Sequence, residues 1–125
     1  MKANEIMVGD WVYLPSIMSD DKYPVQVLEI QDDCIKYYGG GKKMMVLFEH
    51  IEPIPLTPEI LEKNGFVDER SNYAYRTDNY HVCYYCADEK LSINKYGAIL
   101  DVHCFYVHQL QHALRLCEIT LNIEV

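Results

Sequence analysis

The sequence predicts an α+β protein: an SH3-like small β-barrel over residues 1–55, then a helix and an antiparallel meander over residues 56–125. Three observations support this division. Both halves contain short apolar segments separated by turn residues. A proline follows a helix-capping threonine near residue 57, and the apolar period becomes helical after residue 106. Because 125 residues is the size of one domain, the two parts are expected to share a core or to form one compact unit.

The first half contains four candidate strands. They are WVYL at 11–14, PVQVLEI at 24–30, CIKYY at 34–38 and MMVLFEHIEPI at 44–54. The opening VGDWVYLP is typical of SH3-like barrels. The segment GGGKK at 39–43 lacks the Ser or Thr and the following helix of a phosphate-binding loop, and its glycines favour the tip of a hairpin.

A short helix is expected to begin at Pro58 and to link the two halves. Thr57 is a suitable N-cap, and proline is tolerated at the first helical position because its missing N–H would have no partner there. Gly65 is suited to the left-handed residue that ends a helix, with Phe66 folding back onto the last turn.

The second half predicts a five-stranded meander, a helix and a final strand. The strand segments are FVDE, NYAYRT, YHVCYYC, KLSIN and AILDVHC, with turn signals between them. A helical stripe follows, formed by Val107, Leu110, Leu114 and Cys117, with Ala113 and Leu116 beside it. The tail EITLNIEV at 118–125 alternates apolar and polar residues, so we expect a strand that returns to an edge of the sheet.

Composition excludes several classes of protein. The 11 lysines and arginines are outnumbered by 19 acids, and the net charge of −8 disfavours binding to a phosphate backbone. No segment resembles a secretory signal, and no apolar run is long enough to span a membrane, so a cytoplasmic protein is expected. Five cysteines in that compartment predict free thiols rather than a disulfide framework.

The stretch NYHVCYYC at 79–86 holds the strongest candidate for a metal site. Cys83 and Cys86 have the C-x-x-C spacing, and His103 and Cys104 could add ligands from a neighbouring strand to hold zinc. In a regular strand, however, Cys83 and Cys86 point to opposite faces and cannot bind one ion. A redox pair is disfavoured because no helix follows to lower a thiol pKa. A strand with buried thiols is the favoured interpretation.

Two further groups are candidates for protein interaction. His108 and His112 lie four residues apart on the last helix, but further metal ligands are missing, so a polar face toward solvent or a partner is favoured. The tyrosines of the meander either cover the sheet or, where exposed together, form a protein-binding surface. The candidates are Tyr73, Tyr75, Tyr80 and Tyr84.

Three segments, ANEIMVGDWVYLP, EPIPLTPEILEKNGF and YVHQLQHALRLC, carry a resemblance that spans nearly the whole chain. It resembles a family of short uncharacterised proteins from Bacteroides-type gut bacteria and their prophages and mobile elements. The resemblance implies a cytosolic protein linked to a mobile element, and it implies no activity. The resemblance implies that glycine is usual where this chain has Glu118, so a different cap is expected at that helix end.

The sequence carries no nucleophile elbow, nucleotide fingerprint or paired-carboxylate signature, so catalysis is not expected and no cofactor is assigned. We expect a non-catalytic protein-interaction or accessory module of a phage or mobile element. The sequence identifies neither its protein partner nor its oligomeric state. One alternative is a zinc-binding protein using the Cys/His cluster. Another is a single-stranded nucleic-acid binder on an aromatic sheet, which would need a local basic groove.

Overall fold

The structure is a computed structural model that describes residues 1–16 and 21–125. The protein is α+β, with open antiparallel sheets and two α-helices among the described residues. The chain divides into two compact units, Met1–Ile54 and Pro55–Val125. Neither described α-helix has the length and apolar character needed to cross a membrane.

The amino-terminal unit contains two three-stranded sheets, ordered β2-β1-β6 and β3-β4-β5. The strands are β1 Trp11–Pro15, β2 Lys22–Gln26, β3 Glu29–Ile30, β4 Cys34–Gly39, β5 Lys42–Leu47 and β6 Glu52–Pro53. The described strands form no closed barrel, so the SH3-like barrel stays a prediction. A buried cluster in this unit is made of Ile6, Val12, Leu14, Val25, Val27, Ile35, Tyr37 and Ile51.

Two segments expected as single strands are interrupted. Between β2 and β3, the Val27 N–H donates to the carbonyl of Asp10 (2.9 Å) and the next N–H, of Leu28, donates to the carbonyl of Lys36 (2.8 Å). Residues 27 and 28 therefore carry the chain from one sheet to the other. The segment 44–54 is likewise broken, because a 3₁₀ turn at Phe48–His50 separates β5 from β6.

The GGGKK segment is confirmed as a hairpin tip. Gly39 lies opposite Lys42, and the two residues between them, Gly40 and Gly41, have φ of +59° and +78°. Positive φ at both central residues is what a type I′ turn requires, and glycine adopts it without strain.

The carboxy-terminal unit begins with helix α1, Pro58–Lys63, as predicted. The Ile60 N–H donates to the Thr57 hydroxyl oxygen (3.3 Å). At the other end Gly65 has φ +87°, and the Phe66 N–H donates to the carbonyl of Leu61 (3.0 Å). This is the Schellman arrangement, which satisfies the last carbonyls of a helix.

The predicted meander is a five-stranded antiparallel sheet, ordered β11-β10-β9-β8-β7. Its strands are β7 Val67–Asp68, β8 Tyr73–Arg76, β9 Tyr80–Tyr85, β10 Lys90–Lys95 and β11 Ala98–His103. Helix α2, Val107–Leu116, follows, and it buries Val107, Leu110, Ala113 and Leu114. Leu116, expected beside this buried stripe, is instead strongly exposed because it is the last helical residue.

The expected strand at the carboxy terminus is wrong, because residues 119–125 pair with none of the described strands. The alternation of apolar and polar residues in this segment instead reflects side-chain burial, since Ile119 and Ile123 are buried. The Asn64 side chain holds the backbone: its amide donates to the carbonyl of Glu124 (2.7 Å), and its oxygen accepts the Glu124 N–H (2.7 Å). The Lys63 ammonium also donates to the carbonyl of Val125 (3.0 Å). A side-chain amide has the same donor and acceptor as a strand residue, so it replaces a sheet partner here.

Helix α2 ends on a second Schellman arrangement with a non-glycine residue in the left-handed position. Glu118 has φ +56°, and the Ile119 N–H donates to the carbonyl of Leu114 (2.9 Å). The Lys95 ammonium donates to the carbonyls of Cys117 (3.0 Å) and Glu118 (2.9 Å). The negative end of the helix dipole stabilises a cation at this position.

We predict that Glu118→Gly stabilises the protein by about 1 kcal/mol, because glycine removes the steric cost of the left-handed conformation. Gly65→Ala should have the opposite effect, since a Cβ there would lie 3.3 Å from the Tyr75 ring at φ +87°. Urea denaturation measures both. An unchanged or lower stability of Glu118→Gly would contradict this account of the helix end.

We predict that deleting residues 119–125 destabilises the fold, because the deletion removes two buried isoleucines and the partner of Asn64. Asn64→Ala in the full chain should cost about 1 kcal/mol, from the hydrogen bonds that it loses. In the truncated chain the same substitution should cost roughly half as much or less, which a double-mutant cycle measures. Equal costs in the two chains would show that Asn64 does not hold the tail.

Candidate functional site

The Cys83 segment is a regular strand. Cys83 lies opposite Ser92 on one side and Ala74 on the other. Tyr85 is the last paired residue of β9, opposite Lys90, and Cys86 begins the turn that follows. The strand therefore ends without a bulge that would turn the two sulfurs toward each other.

The other two candidate ligands lie in different surroundings. Cys104 is buried, and burial raises the pKa of its thiol to about 12. His103 is exposed, and its ring stacks on Phe105 with centroids 6.2 Å apart. Burial also raises the pKa of Cys83 and of Cys86. These three shifts disfavour the thiolate form, which is the form that zinc binds.

No three His, Cys, Asp or Glu side chains in residues 1–16 and 21–125 come close enough together to hold a metal ion. The structure thus leaves the four candidate ligands, Cys83, Cys86, His103 and Cys104, without a common centre.

The four candidate tyrosines share one face of the sheet. Tyr73 lies opposite Tyr84, and Tyr75 lies opposite Val82, so β8 and β9 place them on the same side. Tyr84 is buried and donates its hydroxyl to the carbonyl of Cys104 (2.7 Å), while Tyr73, Tyr75 and Tyr80 are half-buried. The rings of Tyr75 and Tyr80 stack at 6.3 Å. These side chains cover the sheet and are not exposed together.

Helix α2 does not present His108 to solvent. His108 is buried, with its ring stacked on Tyr106 at 5.8 Å and set edge-on to His112 at 5.5 Å. His112 is half-buried. His108 is therefore part of the packed interior. It does not contribute to the polar face toward solvent or a partner that the sequence predicts.

The requirements for stacking single-stranded nucleic acid are also poorly met on this sheet. The four candidate tyrosines are partly or fully buried, and the Arg76 guanidinium makes two hydrogen bonds to Glu69, at 2.9 and 2.8 Å. The pairing with Arg76 lowers the pKa of Glu69 to about 2, so the charge of Arg76 is balanced at neutral pH.

The three most exposed large apolar side chains described in this unit lie around the β10–β11 hairpin instead. A groove of about 400 Å³ is lined there by residues that include Tyr96, Ile99, Leu100 and Leu116. Tyr96, Ile99 and Leu116 are 78%, 66% and 74% exposed. Three large apolar side chains with this exposure, around one groove, mark an interaction site more strongly than scattered surface residues do.

The hairpin holds Tyr96 in an unusual backbone conformation. Lys95 lies opposite Ala98, and the two turn residues, Tyr96 and Gly97, have φ of +52° and +83°. The Asn94 side-chain oxygen accepts the Gly97 N–H (3.2 Å). A bulky aromatic residue rarely adopts positive φ, and such outliers concentrate at functional positions.

β11 is the edge strand of the sheet, and no described strand pairs with its outer side. A two-residue turn makes Lys95 and Ala98 a hydrogen-bonded pair, and bonded pairs then alternate along the strands. The Cys104 N–H donates to the carbonyl of Glu89 (2.9 Å), which agrees with that alternation. The N–H and C=O groups of Ile99, Asp101 and His103 therefore point to the open edge.

Sequence reasoning identified the NKYG turn but not this surface. The signals were an aromatic residue at a turn position that normally takes Asn, Asp or Gly, and a leucine at the end of the amphipathic helix.

No family model, curated protein or solved structure matches the chain.

We predict that the thiols differ strongly in reactivity. At pH 8, iodoacetamide should label exposed Cys86 first, whereas buried Cys34 and Cys104 should stay unlabelled until the chain unfolds, because burial raises the pKa of both thiols. Peptide mass spectrometry follows each site, and Cys86→Ser should remove the fastest reaction. Labelling of Cys104 as fast as Cys86 in the folded protein would contradict this placement.

Proposed function

We propose that this protein is a non-catalytic protein-interaction module that binds an extended segment of a partner along β11. The observation that carries the proposal is the apolar groove of Tyr96, Ile99 and Leu116 beside an unpaired edge strand. An extended peptide that joins a sheet edge gains backbone hydrogen bonds, and side-chain pockets along the edge give it specificity.

The chemistry of the groove suits a peptide. Alternate residues of β11 offer backbone donors and acceptors to a new strand, and the apolar side chains of Ile99 and Leu100 line the groove beside them. A partner that covers about 300 Å² of apolar surface gains roughly 7 kcal/mol of transfer free energy, before the cost of ordering the two chains. The backbone hydrogen bonds along β11 add to this gain and help to offset the ordering cost.

The proposal places the protein in the cytoplasm as an accessory protein of a phage or mobile element. The resemblance of the chain to short proteins of Bacteroides-type bacteria and their mobile elements supports this setting. An SH3-like origin of the amino-terminal unit is part of the same proposal, supported by its short antiparallel strands and its VGDW opening.

Selection of random twelve-residue peptides displayed on phage tests the interaction. We expect the selected peptides to share alternating apolar residues, since a new strand points every second side chain to the groove. Ile99→Pro and Leu116→Asp should each weaken binding about tenfold or more, because a tenfold loss needs only ~1.4 kcal/mol. Proline is tolerated at Ile99 because its N–H points away from β10.

Val67→Asp is the matched control, since Val67 is an exposed apolar residue on β7, the opposite edge of the same sheet. It should leave binding unchanged. Equal losses in Val67→Asp and Leu116→Asp, or selected peptides without a shared apolar pattern, would refute the proposal.

A further inference from the structure

A second open edge, β5, lies in the amino-terminal unit and differs from β11 in charge. β5 is the outer strand of the β3-β4-β5 sheet, and its sequence is KKMMVL. Two lysines stand at the hairpin end of the strand, and four apolar residues follow them. The edge is therefore basic at one end and apolar at the other.

The Gly40–Gly41 turn determines which groups of β5 face the open edge. Gly39 and Lys42 form the hydrogen-bonded pair next to this two-residue turn, and bonded pairs alternate from there. The Phe48 N–H donates to the carbonyl of Asp33 (3.2 Å), in agreement with that alternation. The backbone groups of Lys43, Met45 and Leu47 consequently point away from β4.

The side chains along this edge are accessible. Met45 is 63% exposed, and Met44 and Leu47 are also exposed. Tyr38, opposite Lys43 on the neighbouring strand, is 61% exposed. Methionine is flexible and polarisable, which suits a surface that adapts to the apolar side chains of a partner.

The positive charge at the hairpin end is only partly balanced. Lys36 and Lys43 share one carboxylate, that of Glu29, at 3.7 and 3.9 Å. Lys42 has no carboxylate within 4.0 Å among the described residues. Exposed ion pairs at such distances contribute little. On a chain with a net charge of −8, this hairpin end is a local basic surface.

We propose that the free edge of β5 binds an extended acidic segment of a partner protein, with two adjacent acids at Lys42 and Lys43 and apolar residues along Met44–Leu47. Each face of β5 carries one lysine followed by two apolar residues, so the complementary strand needs one acid and two apolar residues on each face. In antiparallel pairing that strand reads as four apolar residues followed by two acids.

Two other occupants fit this edge less well. In a second copy of β5 running antiparallel, the lysines would lie against apolar residues and keep their charges unpaired, and edge lysines generally oppose such pairing. A nucleic acid would leave the methionines and the outward backbone groups without partners, and the net charge of the chain repels phosphate. The site is independent of the β11 proposal, because it lies in the other unit.

Fluorescence anisotropy with two labelled peptides tests the proposal. The probes are Leu-Val-Ile-Val-Glu-Glu and Leu-Val-Ile-Val-Lys-Lys, both with fluorescein at the amino terminus. The wild-type protein should bind the glutamate peptide about tenfold or more tightly than the lysine peptide, and the difference should shrink at high salt. The double variant Lys42→Glu/Lys43→Glu should invert the preference.

The matched control is Arg70→Glu/Lys90→Glu, which changes the net charge equally at exposed positions of the carboxy-terminal unit. It should keep the wild-type preference. Met45→Pro, which removes an outward N–H, should weaken binding of the glutamate peptide, and thermal melting should show that each variant is folded.

Four results would overturn the proposal: no preference between the peptides, inversion in the control variant too, self-association of the protein that Met45→Pro abolishes, or binding of a labelled oligonucleotide that the Lys42/Lys43 double variant abolishes. The third result would assign the edge to a second copy, and the fourth would assign it to nucleic acid.

Discussion

The left-handed turn at Tyr96 and Gly97 is the constraint on which the candidate binding surface depends. It places Lys95 opposite Ala98 and thereby sets every later pair of the β10–β11 hairpin. Side chains alternate between the faces of a strand, so a slip of one residue would move Leu100 and Val102 to the opposite face. The same register directs the backbone groups of Ile99, Asp101 and His103 to the open edge.

The end of helix α2 completes this surface. Because the left-handed Glu118 stops the helix after Leu116, that side chain lies beside the hairpin rather than in the core. Lys95 joins the two elements through the carbonyls of Cys117 and Glu118. The groove thus results from two unfavourable local conformations, at Tyr96 and Glu118, that the surrounding hydrogen bonds maintain.

Local chemistry predicted much of the fold. Thr57, Pro58 and Gly65 determine their helix through short-range capping, and Gly40 and Gly41 determine their hairpin through φ, so each is readable from a few residues. The tail was misread because alternation reports which side chains are buried and not whether the backbone has a partner strand. Asn64, distant in sequence, supplies that partner.

Most of the candidate site could not be predicted from the sequence, for a related reason. Spacing correctly placed the meander tyrosines on strands, but which face is covered depends on tertiary packing. Similarly, an alternating strand such as β11 reads the same at the centre of a sheet and at its edge. Only the strand order shows that β11 is an edge, and only the helix end shows that Leu116 is exposed.

Amide hydrogen exchange of β11, followed residue by residue by NMR, tests this account most directly. In the free protein the amides of Leu100 and Val102 should exchange slowly, because they bond to β10, whereas those of Ile99, Asp101 and His103 should exchange fast and become protected when a peptide binds. Protection of all five amides in the free protein, or the reverse alternation, would contradict an open edge at β11.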